Sequence, residues 1–193
     1  SASAGYLVDF TARLSGVGKQ AGLTQQQIMG FASVLDQNMQ QDETAATAMQ
    51  NLITKMFQQP AKFAALAGKS VKEFTNLLKN DANEALIQFF GAMRKNGGFA
   101  QLAPMFDEMK MDGSRAVGVL SVIADKLADV KVAQETANRA YASGQSVIDE
   151  FNTQMSSQQA ALDMAKKDFK ELAIELGEQL LPVVKYTIST GAL

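Results

Sequence analysis

Two of the residue types that most often carry catalysis and metal binding are absent from this chain. Its 193 residues include neither His nor Cys. The lack of His removes the commonest general base and the commonest metal ligand. The lack of Cys removes thiolate chemistry and any disulfide framework. Acid–base or metal chemistry would therefore require carboxylates that converge in the fold.

The acidic residues do not follow a spacing that brings carboxylates together. Three pairs are adjacent in sequence: Asp42-Glu43, Asp107-Glu108 and Asp149-Glu150. Neighbours on a helix point about 100° apart, so such pairs do not converge on one substrate. Four more charged residues lie four apart and indicate a solvated helix face: Asp163, Lys167, Glu171 and Glu175. We predict no catalytic, cofactor-binding or metal-binding residues, no bound cofactor and no enzyme, although carboxylates from distant segments could still meet in the fold.

One short motif matches the end of a phosphate-binding loop. In Gly68-Lys69-Ser70 the residue types are those that close a P-loop, which also needs a glycine five residues earlier so that backbone N–H groups face the phosphates. Phe63 occupies that position, and a helix-like stretch precedes the motif. We therefore interpret Gly68 as the end of one helix and Ser70 as the cap of the next.

The overall composition is that of a globular protein without a marked charge bias. Apolar residues make up 47% of the chain, charged residues 20%, and the net charge is −2. Lys and Arg are scattered, which predicts no nucleic-acid recognition. The longest apolar stretch, residues 117–124, is far shorter than the roughly 20 residues needed to cross a bilayer. We predict no membrane-spanning segment.

Helical spacing and helix-end signals dominate the first 112 residues. Capping patterns occur at Thr24 with Gln27, at Ser70 with Glu73 and at Asp81 with Glu84. Helix ends are indicated near Pro60, at Gly68 and at Gly97-Gly98. The ten Met and eleven Phe recur at helical spacing, as in Met49, Met56 and Phe57, which favours core positions over a partner-binding apolar groove. The predicted fold class is all-α, with a bundle of short packed helices at residues 1–112.

Two long helices are predicted after this bundle, at residues 113–193. The first opens at Asp112-Gly113-Ser114 and stops at Gly144, and the second runs from Ser146 to Gly177 or Pro182. The second carries a heptad seam: Phe151, Met155, Gln158, Leu162, Ala165, Phe169, Leu172 and Leu176. We interpret the pair as an antiparallel hairpin, continuous with the first part as one domain. The alternative is self-association of the chain through a coiled coil of this last helix.

Several landmarks recur in an order that resembles a known family. In sequence they are Gly22-Leu23-Thr24, Thr47-Ala48, Pro60, Phe63-Ala64, Phe74, the run 80–86, Gly113-Ser114-Arg115 and the ending Leu176-Gly177-Glu178-Gln179-Leu180-Leu181-Pro182. Their order and spacing resemble the core region of bacteriophage tail tape measure proteins over nearly the whole chain.

The resemblance implies a structural protein of a phage or prophage tail. Proteins of this family lie in the lumen of the tail tube, set tail length during assembly in the host cytoplasm, and leave through the tail tip at infection. The implied partners are tail tube and tail tip proteins and tail assembly chaperones. Family members are much longer, and this chain has no initiator Met, so we expect a piece of a longer polypeptide. The alternative is a bacterial helical protein–protein interaction module without catalytic activity.

Overall fold

The computed structural model describes residues 3–154, and this part of the chain is helical without a β-strand. The α-helices are α1 (Ala4–Ala21), α2 (Gln25–Gln37), α3 (Asp42–Gln58), α4 (Pro60–Leu66), α5 (Val71–Asn80), α6 (Ala82–Asn96), α7 (Ala103–Glu108), α8 (Gly113–Asp125) and α9 (Leu127–Gln154), with a 3-10 helix at Phe99–Leu102 before α7. The predicted all-α class is confirmed. No helix in the described part is long and apolar enough to cross a membrane.

The predicted helix starts coincide with side chains that cap the observed helices. Thr24 accepts a hydrogen bond from the Gln27 N–H at 3.1 Å, while the Gln27 side chain accepts one from the Thr24 N–H at 2.9 Å. Ser70 caps α5 and Asp81 caps α6 in the same way as Thr24: the side-chain oxygen accepts a hydrogen bond from the backbone N–H three residues later. These bonds satisfy N–H groups that have no partner within a helix. Side-chain chemistry therefore sets these boundaries locally.

The first helix was not identified from the sequence. α1 is capped by Ser3, whose hydroxyl accepts a hydrogen bond from the Tyr6 N–H, and it ends at Gly22 with a φ of 95°. It buries Leu7, Phe10 and Leu14 among others, and it packs against α2 and α3. The spacing of these apolar residues was the signal that could have found it.

An aromatic cluster occupies the centre of the core. The fully buried Phe side chains are Phe10, Phe31, Phe63, Phe74, Phe89, Phe90 and Phe106. The Phe89 ring lies 5.6 Å from that of Phe63 and 5.5 Å from that of Phe90, both edge to face. Met49 and Met56 are buried as predicted, but Phe57 is 42% exposed. The core assignment of Phe57 is wrong because this side chain follows Met56 by one position and points off the buried face of α3.

The last described helix differs from the prediction at both ends. The predicted long helix from Gly113 changes direction at Lys126, whose φ and ψ of −106° and 26° separate α8 from α9. Hydrogen bonds from Lys126 N–H to Val122 O and from Val130 N–H to Lys126 O, each 3.0 Å, flank this kink. The predicted stop at Gly144 is wrong, because α9 continues through it to Gln154. A single glycine such as Gly144 weakens a helix without ending it, and the next proline is as distant as Pro182.

The rest of the predicted hairpin lies outside the described residues. Phe151 belongs to the described backbone of α9, whereas the remaining seam residues follow Gln154. The predicted turn of the antiparallel hairpin, with a new helix starting at Ser146, is wrong, because α9 is continuous there. The pairing of the seam residues after Gln154 stays a prediction. α8 joins the common core, with Ala116, Leu120 and Ile123 fully buried.

Candidate functional site

A groove lies between α2 and α9, beside a cluster of polar side chains. Its volume is about 300 Å³. Its lining residues are Met29, Ser33 and Gln37 from α2 and Asp129, Val132, Ala133, Thr136 and Ala137 from α9. Val132 is 60% exposed at this site. The lining combines hydroxyl, amide and small apolar side chains with one carboxylate, which suits helix packing better than proton transfer.

Beside this groove, three amide-bearing residues tie α9 to two other helices. Gln134 Nε2 donates to Asn83 Oδ1, and Asn83 Nδ2 donates back to Gln134 Oε1, both at 2.9 Å. Gln134 Nε2 also donates to the Gln27 carbonyl at 3.1 Å. Gln134 is 7% exposed, so this pairing offsets the loss of hydration that a buried amide suffers. We call Gln134, Asn83 and the Gln27 carbonyl the amide latch.

The close approach of α2 and α9 depends on Gly30. A Cβ atom at this position would lie 2.2 Å from Gln134 Cγ, 3.0 Å from Gln134 N and 3.2 Å from Gln134 Cα. The last two are backbone atoms, which cannot move aside without shifting the helix. Gly30 therefore permits the interhelical distance at which the amide latch forms.

Replacing Gly30 by Ala is expected to destabilise the protein by about 1–3 kcal/mol, as overpacking does elsewhere. The matched control is Gly16→Ala in α1, where nothing lies within 4 Å of the added Cβ. That change should stabilise the fold by about 0.5–1 kcal/mol, since Ala favours a helix interior. Urea denaturation measures both variants. Equal effects at the two positions would contradict the role assigned to Gly30.

Two carboxylates from distant segments do meet, on the surface where α1 and α3 pack. Asp9 forms an ion pair with Arg13 at 2.8 Å, and both side chains are about 40% exposed. Hydrogen bonds from Arg13 and Asp42 lower the pKa of Asp9, while the hydrogen bond with Asp9 raises the pKa of the Asp42 carboxyl. An exposed ion pair such as Asp9–Arg13 contributes little to the stability of the fold.

The motif Gly68-Lys69-Ser70 forms a helix end followed by a helix cap. Gly68 ends α4 with a φ of 70°, and the Lys69 N–H donates to the Ala64 carbonyl at 2.9 Å. Ser70 then caps α5, as the sequence indicated. Among residues 3–144, whose side chains the structure describes, no group of three or more acidic residues could hold a metal ion.

The comparisons with known proteins add no relative: no family model, no curated protein and no solved structure matches this chain. The amide latch was also not predicted from the sequence. Two features of the sequence could have indicated it. Gln134 interrupts an apolar stripe at residues 127, 130 and 137, and Gly30 lies inside a helix.

Proposed function

We propose that this chain is a segment of a phage or prophage tail tape measure protein. In this role it occupies the lumen of the tail tube, sets tail length during assembly and leaves through the tail tip at infection. The observation that supports the proposal is the order of the landmark residues that resemble the family. Several of them coincide with helix boundaries: Gly22 ends α1, Pro60 begins α4, Asp81 caps α6 and Gly113 begins α8.

The length that this segment would contribute to a tail-length ruler depends on whether it is compact or extended. A compact domain of this size is about 40 Å across. The same residues 3–154 in one continuous helix would extend about 230 Å. The buried aromatic cluster stabilises the compact form, so the segment would contribute the shorter length unless the bundle opens in the tube.

The proposed partners are tail tube and tail tip proteins and the tail assembly chaperones. Self-association is the further proposal, through the helix that carries Phe151, Leu162, Phe169 and Leu176. α9 includes the first residue of this seam, Phe151, since it continues through Gly144 to Gln154. A helix with a sustained seam of this kind is suited to pairing with another copy.

The second candidate function is a bacterial helical interaction module. The groove between α2 and α9 favours it, because its volume of about 300 Å³ and the exposed Val132 suit a small apolar anchor from a partner. This candidate requires no tail particle.

Mass spectrometry of purified particles separates the two candidates. If the chain is a tape measure segment, its peptides should be present in intact particles and lost after DNA ejection is triggered. A tail tube protein, which remains with the particle, provides the internal control. Peptides found in the cell lysate but absent from intact particles would contradict the proposed tail function and favour the interaction module.

A further inference from the structure

We infer that α9 is a detachable arm, which swings out about Lys126 while α1–α8 stay folded. The arm is held by the amide latch at Gln134 and, after it, mainly by small side chains. This inference concerns the fold itself and does not depend on the proposed tail function.

The first support is the uneven distribution of apolar burial. Between residues 127 and 144, α9 buries the side chains of Leu127, Val130, Gln134, Ala137 and Ala140. The two larger buried apolar side chains thus lie beside the kink. The side chains buried after them are one amide and two Ala methyl groups, and Tyr141 packs half-buried against the core. The fully buried Phe side chains all belong to α1–α7. Because hydrophobic stabilisation scales with the apolar area removed from water, the side chains at residues 131–144 contribute less to the packing of α9 on α2 than Leu127 and Val130 do.

The second support is the presence of open clefts on both sides of the arm. The groove beside Ala133 and Ala137 lies on one side. A second cleft, of about 420 Å³, lies at the corner between α1 and α2, and its lining includes Leu23, Ile28 and the partly buried Tyr141. Side chains that line such spaces forgo part of their packing contacts. Tyr141 packs against the core but stays only half-buried, so only part of its ring contributes to docking.

The third support is the position of the kink. Lys126 departs from helical geometry at the junction of α8 and α9. With a rise of about 1.5 Å per residue, Val130 lies about 6 Å from this hinge and Tyr141 about 22 Å. A small rotation at Lys126 therefore displaces the far end several times more than Val130, so the larger apolar contacts change least.

The amide latch sets the register of the docked arm rather than a large barrier to its release. Its bonds connect Gln134 to α6 and to the start of α2. When the arm opens, water replaces these bonds, so their net contribution is small. While the arm is docked, however, only one position along α2 allows all three bonds.

Pulsed electron paramagnetic resonance on the full chain tests this inference. Because the chain has no Cys, spin labels can be placed specifically with Q20C/S143C across the arm and Q20C/K79C within the body. All three substituted residues are exposed. The arm pair should give a short distance and a longer, broader one. The body pair should give a single distribution.

The substitution Q134A removes all three latch bonds. It should raise the fraction of the longer distance at least about fivefold, which is the effect of the net loss of one hydrogen bond. The matched control is Q88A, because Gln88 is half-buried and its side chain bonds only within α6, to Glu84 at 3.1 Å. Q88A should leave both distributions unchanged. A single short distance for the arm pair in wild type and Q134A would overturn the inference. So would broadening of the body pair in Q134A, because it would mean that the whole bundle unfolds.

Discussion

Replacing Phe89 by Ala is expected to lower the free energy of unfolding by about 3–5 kcal/mol. Phe89 is fully buried, and its ring lies within 6.2 Å of the rings of Phe63, Phe90 and Phe99. The substitution removes buried apolar surface and leaves a cavity where helices α4 and α6 meet the 3-10 helix. Edge-to-face ring contacts are lost as well.

Phe57→Ala is the matched control for this prediction. Phe57 is the same residue type at 42% exposure, near the end of α3. Its replacement should change the free energy of unfolding by less than about 1 kcal/mol. Denaturation in guanidinium chloride, followed by circular dichroism at a helix band, measures both. Similar losses for Phe57→Ala and Phe89→Ala would contradict the position of the aromatic cluster at the centre of the core.

Replacing Gly113 by Ala is expected to destabilise the protein by about 1–3 kcal/mol. A Cβ at this position would lie 2.4 Å from the Ala103 carbonyl oxygen and 2.9 Å from its carbon. These are backbone atoms, so no side-chain rotation relieves the clash. The Gly113 N–H also donates to Asp107 Oδ1 at 2.8 Å, which fixes the turn between α7 and α8. Separating the two helices would weaken this bond.

Gly118→Ala provides a control on the same helix. Gly118 is an exposed residue of α8, and an added Cβ there meets nothing within 4 Å. This change should stabilise the fold by about 0.5–1 kcal/mol. The melting temperature should therefore rise for Gly118→Ala and fall for Gly113→Ala. A lowered melting temperature for Gly118→Ala, or an unchanged one for Gly113→Ala, would contradict the described packing of α8.

The helix boundaries that the sequence predicted correctly are those set by local chemistry. Thr24 and Ser70 bond to N–H groups three residues away, and Gly68 adopts a φ that other residues disfavour. Such signals are contained in a few consecutive residues. The stop assigned to Gly144 was wrong because a single glycine is a weak signal that the surrounding helix overrides.

The amide latch and the kink depend on contacts that a local pattern does not contain. Gln134 bonds to Asn83 across 51 residues of sequence and to Gln27 across 107. No spacing rule links these positions. The kink at Lys126 has neither a Gly nor a Pro beside it, the usual local causes of a bend. Likewise, the meeting of Asp9 and Asp42 follows only from the packing of α1 on α3.

Tail length after an in-frame tandem duplication of residues 3–154 tests the proposed function most directly. A duplication retains the original segment, so assembly can proceed while the proposed ruler gains one more copy. Electron microscopy of the particles that encode the chain measures the result. The proposal predicts tails longer by about 40 Å if the added copy stays folded, and by up to about 230 Å if it opens into a continuous helix. Tails of unchanged length, in particles that contain the enlarged protein, would contradict the claim that this segment sets tail length.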